Sequence, residues 1–149
     1  MSLSQTLLPV ENILIDLDVT SKKRLFEEVA EIFASHGAVD EGKVFQSLLS
    51  REKLGSTGLG CGAAIPHGRV SGLSEAKASF IRLKHSIAFE AHGEQLVDLV
   101  FAVLVPEQGN TEHLKILSHL AQKFSKEEIR NRLRVMQSPQ EIADLLLED

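Results

Sequence analysis

The sequence predicts a layered α/β domain, and three features carry that reading. Stretches with helical periodicity alternate with short apolar runs along the first two thirds of the chain. Residues 96–105, Leu-Val-Asp-Leu-Val-Phe-Ala-Val-Leu-Val, form an almost unbroken apolar run, the pattern of a strand buried on both faces. The last third is helical. Helices interleaved with buried strands call for layers rather than a bundle. A length of 149 residues suits one domain over 1–149, and a chain of that size buries about 68–70% of its unfolded surface without a disulfide or metal staple.

The elements follow in order. Residues 3–8 read as a short helix stopped by Pro9, and residues 12–17 as a strand. Thr20 or Ser21 caps a helix that carries Leu25, Val29, Ile32 and Phe33 on one face, with Gly37 as its C′ residue and His36 as a dipole-compatible capping residue. Asp40 opens a second helix bearing Val44, Leu48 and Leu49, which closes near Gly55. Residues 76–83 read as a strand, and the run 96–105 ends at Pro106. Asn110 or Thr111 starts a helix with Leu114, Leu117, Leu120, Ala121 and Phe124 along one stripe. Ser125 to Glu128 and Ser138 to Glu141 both fit the capping box, with Pro139 at the first helical position of the latter. Pattern alone leaves strand order open.

Composition excludes several function classes. With 16 Lys and Arg against 21 Asp and Glu the net charge is −5, which argues against a nucleic-acid partner. No apolar run reaches the roughly 18 residues of a membrane span, so direct membrane insertion is not expected. The N-terminus has neither a basic region nor a long apolar region, and no secretion signal is expected. The lone Cys61 makes no internal disulfide and fits a reducing cytosol, hence a cytoplasmic location. With no His-Glu-x-x-His and no paired cysteines, a metal site is not expected.

The chemistry concentrates between Gly55 and Gly72, which holds six of the ten glycines. Composition leaves a mobile surface loop and a shaped binding loop equally open. A P-loop is excluded because no Gly-Lys-Ser/Thr closes the stretch. Gly58, Gly60 and Ala63 match the dinucleotide fingerprint formally, but a helix precedes them and Pro66 follows within three residues of Ala63. In Ile65-Pro66-His67-Gly68, proline fixes the backbone before the histidine and glycine leaves room after it. That setting suits a nucleophile or general base, although an incidental loop histidine fits the residues as well.

These residues resemble a family. Arg51-Glu52-Lys53-Leu54-Gly55-Ser56-Thr57-Gly58-Leu59-Gly60, followed by Ala64-Ile65-Pro66-His67-Gly68, is similar to the active-site region of enzyme IIA proteins of the fructose/mannitol class, from the bacterial phosphoenolpyruvate phosphotransferase system. Ser86-Ile87-Ala88-Phe89, residues 97–102 and Glu112-His113-Leu114 extend the likeness to nearly the whole chain, and it looks most like the nitrogen-regulatory branch. The resemblance implies a mixed β-sheet flanked by helices and no cofactor. It implies that His67 accepts a phosphoryl group from a histidine phosphocarrier protein, at Nε2. It further implies that His113 lies beside His67 near a helix start, that Arg51 binds phosphate oxygens, and that Ser56, Thr57, Gly58 and Gly68 bind phosphate or support the loop. Attack on phosphorus needs a neutral imidazole whose other nitrogen carries the proton, and glycine-loop N–H groups are candidate donors to the phosphate.

The expected role is a stoichiometric phosphocarrier whose phosphorylation state regulates nitrogen metabolism or transport through targets such as sensor kinases or ion transporters. The alternatives are an enzyme IIA that passes phosphate to a sugar permease subunit, and a binding module on the same fold without phosphorylation. The other side chains have plainer readings. His85 and His92 sit in turns, His119 lies 240° round the helix from His113, and Cys61 is a small filler.

Overall fold

A mixed β-sheet separates two layers of helix in the computed structural model, which describes residues 3–36, 39–89, 95–108 and 111–149, without the side chain of His36. The strands are β1 (Ile13–Leu17), β2 (Ala63–Ala64), β3 (His67–Val70), β4 (Lys77–Ala88) and β5 (Leu96–Pro106). The helices are α1 (Lys22–His36), α2 (Glu41–Leu54), α3 (Glu112–Ser125), α4 (Glu127–Val135) and α5 (Pro139–Leu147). Strand order is β1-β4-β5, with β2 and then β3 on the far side of β5. The β4–β5 pair is antiparallel, whereas β1 runs parallel to β4 and both β2 and β3 run parallel to β5.

Strand alternation divides the core. On β5, Leu99, Phe101, Val103 and Val105 face the layer made by α3, α4 and α5, and Val100, Ala102 and Leu104 face α1 and α2. The phase slips once, between Asp98 and Leu99, whose N–H groups both reach the Gly62 carbonyl at 3.0 and 3.1 Å. That bulge lets Val97 join the α1–α2 side while Asp98 meets Arg134 of α4 at 2.9 Å. On β4, Ala78 and Phe80 pack toward α3–α5, and Arg82 on the same face reaches the carbonyls of Leu133 and Met136.

Several expectations are corrected. The short helix expected over residues 3–8 is a 3₁₀ turn confined to Gln5–Leu7, and a second 3₁₀ turn, Val10–Asn12, starts from Pro9. β4 continues five residues past Leu83, and His85 is an exposed strand residue rather than a turn residue. The glycine segment contains β2 and β3, which sequence pattern leaves as loop. Ser125 is the last residue of α3 and donates to the Gln122 carbonyl, so it does not cap α4, whose N-cap Lys126 makes no side-chain cap. Thr111 precedes α3 without a side-chain cap. Leu114 departs from the buried stripe and stands 56% exposed, while Ile116, Leu120 and Phe124 are buried. Gly37, His92 and Asn110 lie outside the described residues. The capping expected of the His36 side chain also lies outside what is described, and three N-caps form as expected. Ser21, Asp40 and Ser138 accept from the N–H groups of Arg24, Lys43 and Glu141.

Candidate functional site

His67 opens β3, where it pairs with Val103 of β5, and Gly68 follows opposite Leu104. Gly68 and Val70 turn toward α2 and the α1–α2 core, so alternation sends His67 and Arg69 to the other side of this outer strand. The approach of α2 depends on Gly68. A Cβ there would lie 2.1 Å from Ser47 Oγ and 3.1 Å from the Ser47 carbonyl carbon, while Ser47 Oγ donates to the Arg69 carbonyl at 2.7 Å. Helix and strand are thereby locked together at van der Waals distance beside His67.

The His67 Nδ1–H donates to the Ile65 carbonyl at 2.9 Å. A carbonyl only accepts, so the neutral ring carries its proton on Nδ1 and keeps the lone pair of Nε2. The imidazole titrates below its ordinary value. Burial is the largest cause, and the charges of Arg51 and His113 act in the same direction; the Ile65 hydrogen bond and Glu52 pull the other way. The ring is therefore neutral at neutral pH.

Around it runs a groove of about 720 Å³ that joins α2, β3 and the start of α3. Arg51, His67, Gly68 and His113 line it together, with Lys43 and Arg69 adding positive charge, Glu107 the opposite sign, and Leu54 and Leu114 an exposed apolar rim. His113 stands in the first turn of α3, where helix N–H groups favour an anion. The Arg51 guanidinium donates to the Gly55 carbonyl at 2.9 Å, which holds it over the end of its own helix. An unprotonated ring nitrogen among these cations suits attack on an electrophile that carries negative charge.

Ser56, Thr57 and Gly58 are not among the residues that line the groove. The Gly58 N–H donates to Ser56 Oγ at 3.1 Å, and the Thr57 N–H and hydroxyl both donate to Glu52, at 3.0 and 2.6 Å. Their geometry is that of loop support. Glu52 itself escaped sequence reasoning. It is 8% exposed and paired with Lys22 at 3.0 Å, and the Lys22 ammonium lies 4.5 Å from the Phe89 ring centroid. A carboxylate in the last turn of a helix opposes the dipole, and that anomaly was the available signal. His119 ties α3 to α5 through the Leu146 carbonyl at 3.0 Å. Cys61 is half-buried, with its thiol 3.5 Å from the Phe124 carbonyl. Among the described residues no group of three or more His, Cys, Asp or Glu is arranged to hold a metal ion, and no helix is long and apolar enough to cross a membrane.

Comparison with known proteins agrees with this geometry. The chain is 44% identical to a nitrogen regulatory protein IIA-Ntr from Neisseria meningitidis, whose crystal structure superposes with a TM-score of 0.90 over 95% of this chain and 97% of that one. It is 41% identical over 127 residues to the nitrogen regulatory protein of Escherichia coli, covering 85% of this chain and 78% of the relative. A fructose-specific EIIA component from Haloferax volcanii is 32% identical over 144 residues, 96% of this chain and 94% of that protein. The family model for the phosphoenolpyruvate-dependent sugar phosphotransferase system, EIIA 2, matches residues 6–149. With that match spanning the sheet, both helical layers and the groove at His67, the chain belongs to the EIIA type 2 family of this phosphotransferase system.

Proposed function

We propose that the chain, acting as one domain over residues 1–149, is a cytoplasmic phosphocarrier in which His67 accepts a phosphoryl group from a histidine phosphocarrier protein. The observation that carries this reading is the Nδ1–H bond to Ile65, which leaves a basic Nε2 on a neutral ring in a cation-lined groove. Nε2 attacks the phosphorus, the N–P bond of the donor breaks, and its electron pair returns to the donor imidazole. Such transfer needs in-line positioning and charge stabilisation more than further covalent chemistry. Arg51 and His113 serve the phosphoryl oxygens, and Gly68 lets α2 close on the ring. The exposed Leu54 and Leu114 support docking of a protein donor rather than a small one.

The identity of 41% to nitrogen regulatory proteins supports a regulatory output, in which the phosphorylated and free forms engage targets such as sensor kinases or ion transporters differently. The added phosphate changes local charge by about −1.5 to −2 without refolding, a magnitude borrowed from hydroxyl phosphates. The 32% identity to a fructose-specific component favours a second reading, discharge to a sugar permease subunit. Incubation with phosphoenolpyruvate, enzyme I and the phosphocarrier, followed by intact mass, tests the proposal. One acid-labile phosphoryl group is expected on wild type and none on His67→Ala; label that persists in the variant removes the assignment. Adding a fructose permease separates the outputs, because efficient discharge to sugar would defeat the regulatory one.

A further inference from the structure

We propose that Glu52 is a positioning residue: through Thr57 and the backbone pairing of Thr57 with Ile65, it fixes the orientation and tautomer of the His67 ring. The inference rests on the reading of His67 as the phosphoryl acceptor, and it adds a residue that touches neither the ring nor the groove.

The connection is continuous. The Glu52 carboxylate accepts from the Thr57 hydroxyl at 2.6 Å on one oxygen and from the Thr57 N–H at 3.0 Å on the other. The Thr57 carbonyl accepts from the Ile65 N–H at 3.1 Å, and the Ile65 carbonyl accepts from the His67 Nδ1–H at 2.9 Å. The segment between these residues folds back on itself, with the Leu59 N–H donating to the Ala63 carbonyl at 2.8 Å and an isolated antiparallel bridge between Gly58 and Ala64. One arm of this narrow loop is pinned by Glu52, and the other delivers the carbonyl that sets the histidine. The pin is built on helix α2, the element that also supplies Arg51 to the groove from the adjacent position.

The charge of Glu52 is used in this arrangement. A carboxylate as buried as this one is costly unless it is paired and hydrogen-bonded. Here Lys22 pairs with it at 3.0 Å, Phe89 covers the ammonium, and each carboxylate oxygen accepts from one Thr57 donor. Its isosteric amide offers only one acceptor oxygen and cannot accept both Thr57 donors in the same way. The loop arm is then free to shift, and the Ile65 carbonyl shifts with it.

The test compares Glu52→Gln, Thr57→Val and Thr57→Ser with wild type in the full chain. Phosphorylation is followed at varied concentrations of the phosphocarrier, and ¹⁵N shifts of the His67 ring are read without any donor. Glu52→Gln is expected to lower the maximal rate by about tenfold, a scale borrowed from the partners that orient metal-ligating histidines, with KM for the phosphocarrier unchanged. Its ring nitrogens are expected to show a growing share of the Nε2–H tautomer. Thr57→Val should move both readouts in the same direction, and Thr57→Ser, which keeps the hydroxyl, should restore them. If Glu52→Gln fails to fold, the two Thr57 variants decide. A wild-type maximal rate and a single Nδ1–H tautomer in the folded Thr57→Val and Glu52→Gln proteins overturn the proposal. Absence of label on wild type would instead refute the acceptor reading, while the ring shifts still report on positioning.

Discussion

At His67 the neighbouring positive charges that would favour an anion also oppose protonation of the ring. Burial and the charges of Arg51 and His113 depress its titration, and the depression keeps Nε2 unprotonated at neutral pH. The titration midpoint, followed by NMR of the ring protons, is expected below 6.5 in wild type and higher in Arg51→Ala; a wild-type midpoint at or above 6.5 contradicts the burial seen here. The same shift links to stability. Between the folded midpoint and 6.5 the unfolded chain binds more protons at this site than the folded one, so stability rises with pH across that window. The contribution is complete above 6.5 and is lost as pH falls through the folded value. His67→Gln should therefore lose less stability on acidification than wild type, as read from Tm against pH; equal slopes would refute the linkage.

Among the elements, the contact between α2 and β3 holds the site together. Gly68 has no side chain to keep the strand away from Ser47, and the Ser47 hydroxyl ties back to the Arg69 carbonyl. Gly68→Ala forces either the helix or the strand to move, at a cost of about 1–3 kcal/mol. Because β3 carries His67, the shift should also slow phosphoryl acceptance. Denaturant melts and the mass assay read the two effects, and a variant with wild-type stability and rate would show that this contact is slack. The sequence made the need for glycine visible in Ile-Pro-His-Gly. It did not make β2 and β3 visible, since strands of two and four residues broken by proline and glycine are too short to carry a period. β4 is a similar case. Lys84, His85 and Ser86 are all exposed, so alternation stops there although the strand runs on to Ala88, just before the buried Phe89.

For the whole molecule, Arg82 joins the sheet to the C-terminal helices. Its side chain is 4% exposed, pairs with Asp16 at 3.1 Å and donates to the carbonyls of Leu133 and Met136 at the end of α4. Asp16 has φ of 60° where the β1 register slips against β4, and it is the exposed member of the pair. Because Asp16 is solvated, the ion pair adds little, so the buried carbonyls decide the cost of losing this guanidinium. Arg82→Met, which fills similar volume, should destabilise by about 1–3 kcal/mol, or roughly 2–4 °C of Tm per kcal/mol, and leave phosphorylation of the folded protein unchanged. A loss of activity without a loss of stability would instead connect the two ends of the sheet.

By itself the sequence determined the α/β class, the positions of most helices and the central strand, and it singled out His67, Arg51 and His113, which the structure brings into one groove. These follow from local causes: periodicity, capping side chains, and a proline and glycine bracketing one histidine. Only the tertiary structure decided the strand order, the outer strand that presents His67, the placing of Arg51 and His113 in a groove whose lining leaves out Thr57 and Gly58, and the contacts of Glu52. Each of those depends on contacts between residues distant in the chain or on burial, as when Lys22 and Phe89 make a carboxylate at the end of α2 tolerable. No local pattern encodes which side chains a sheet edge will bring together.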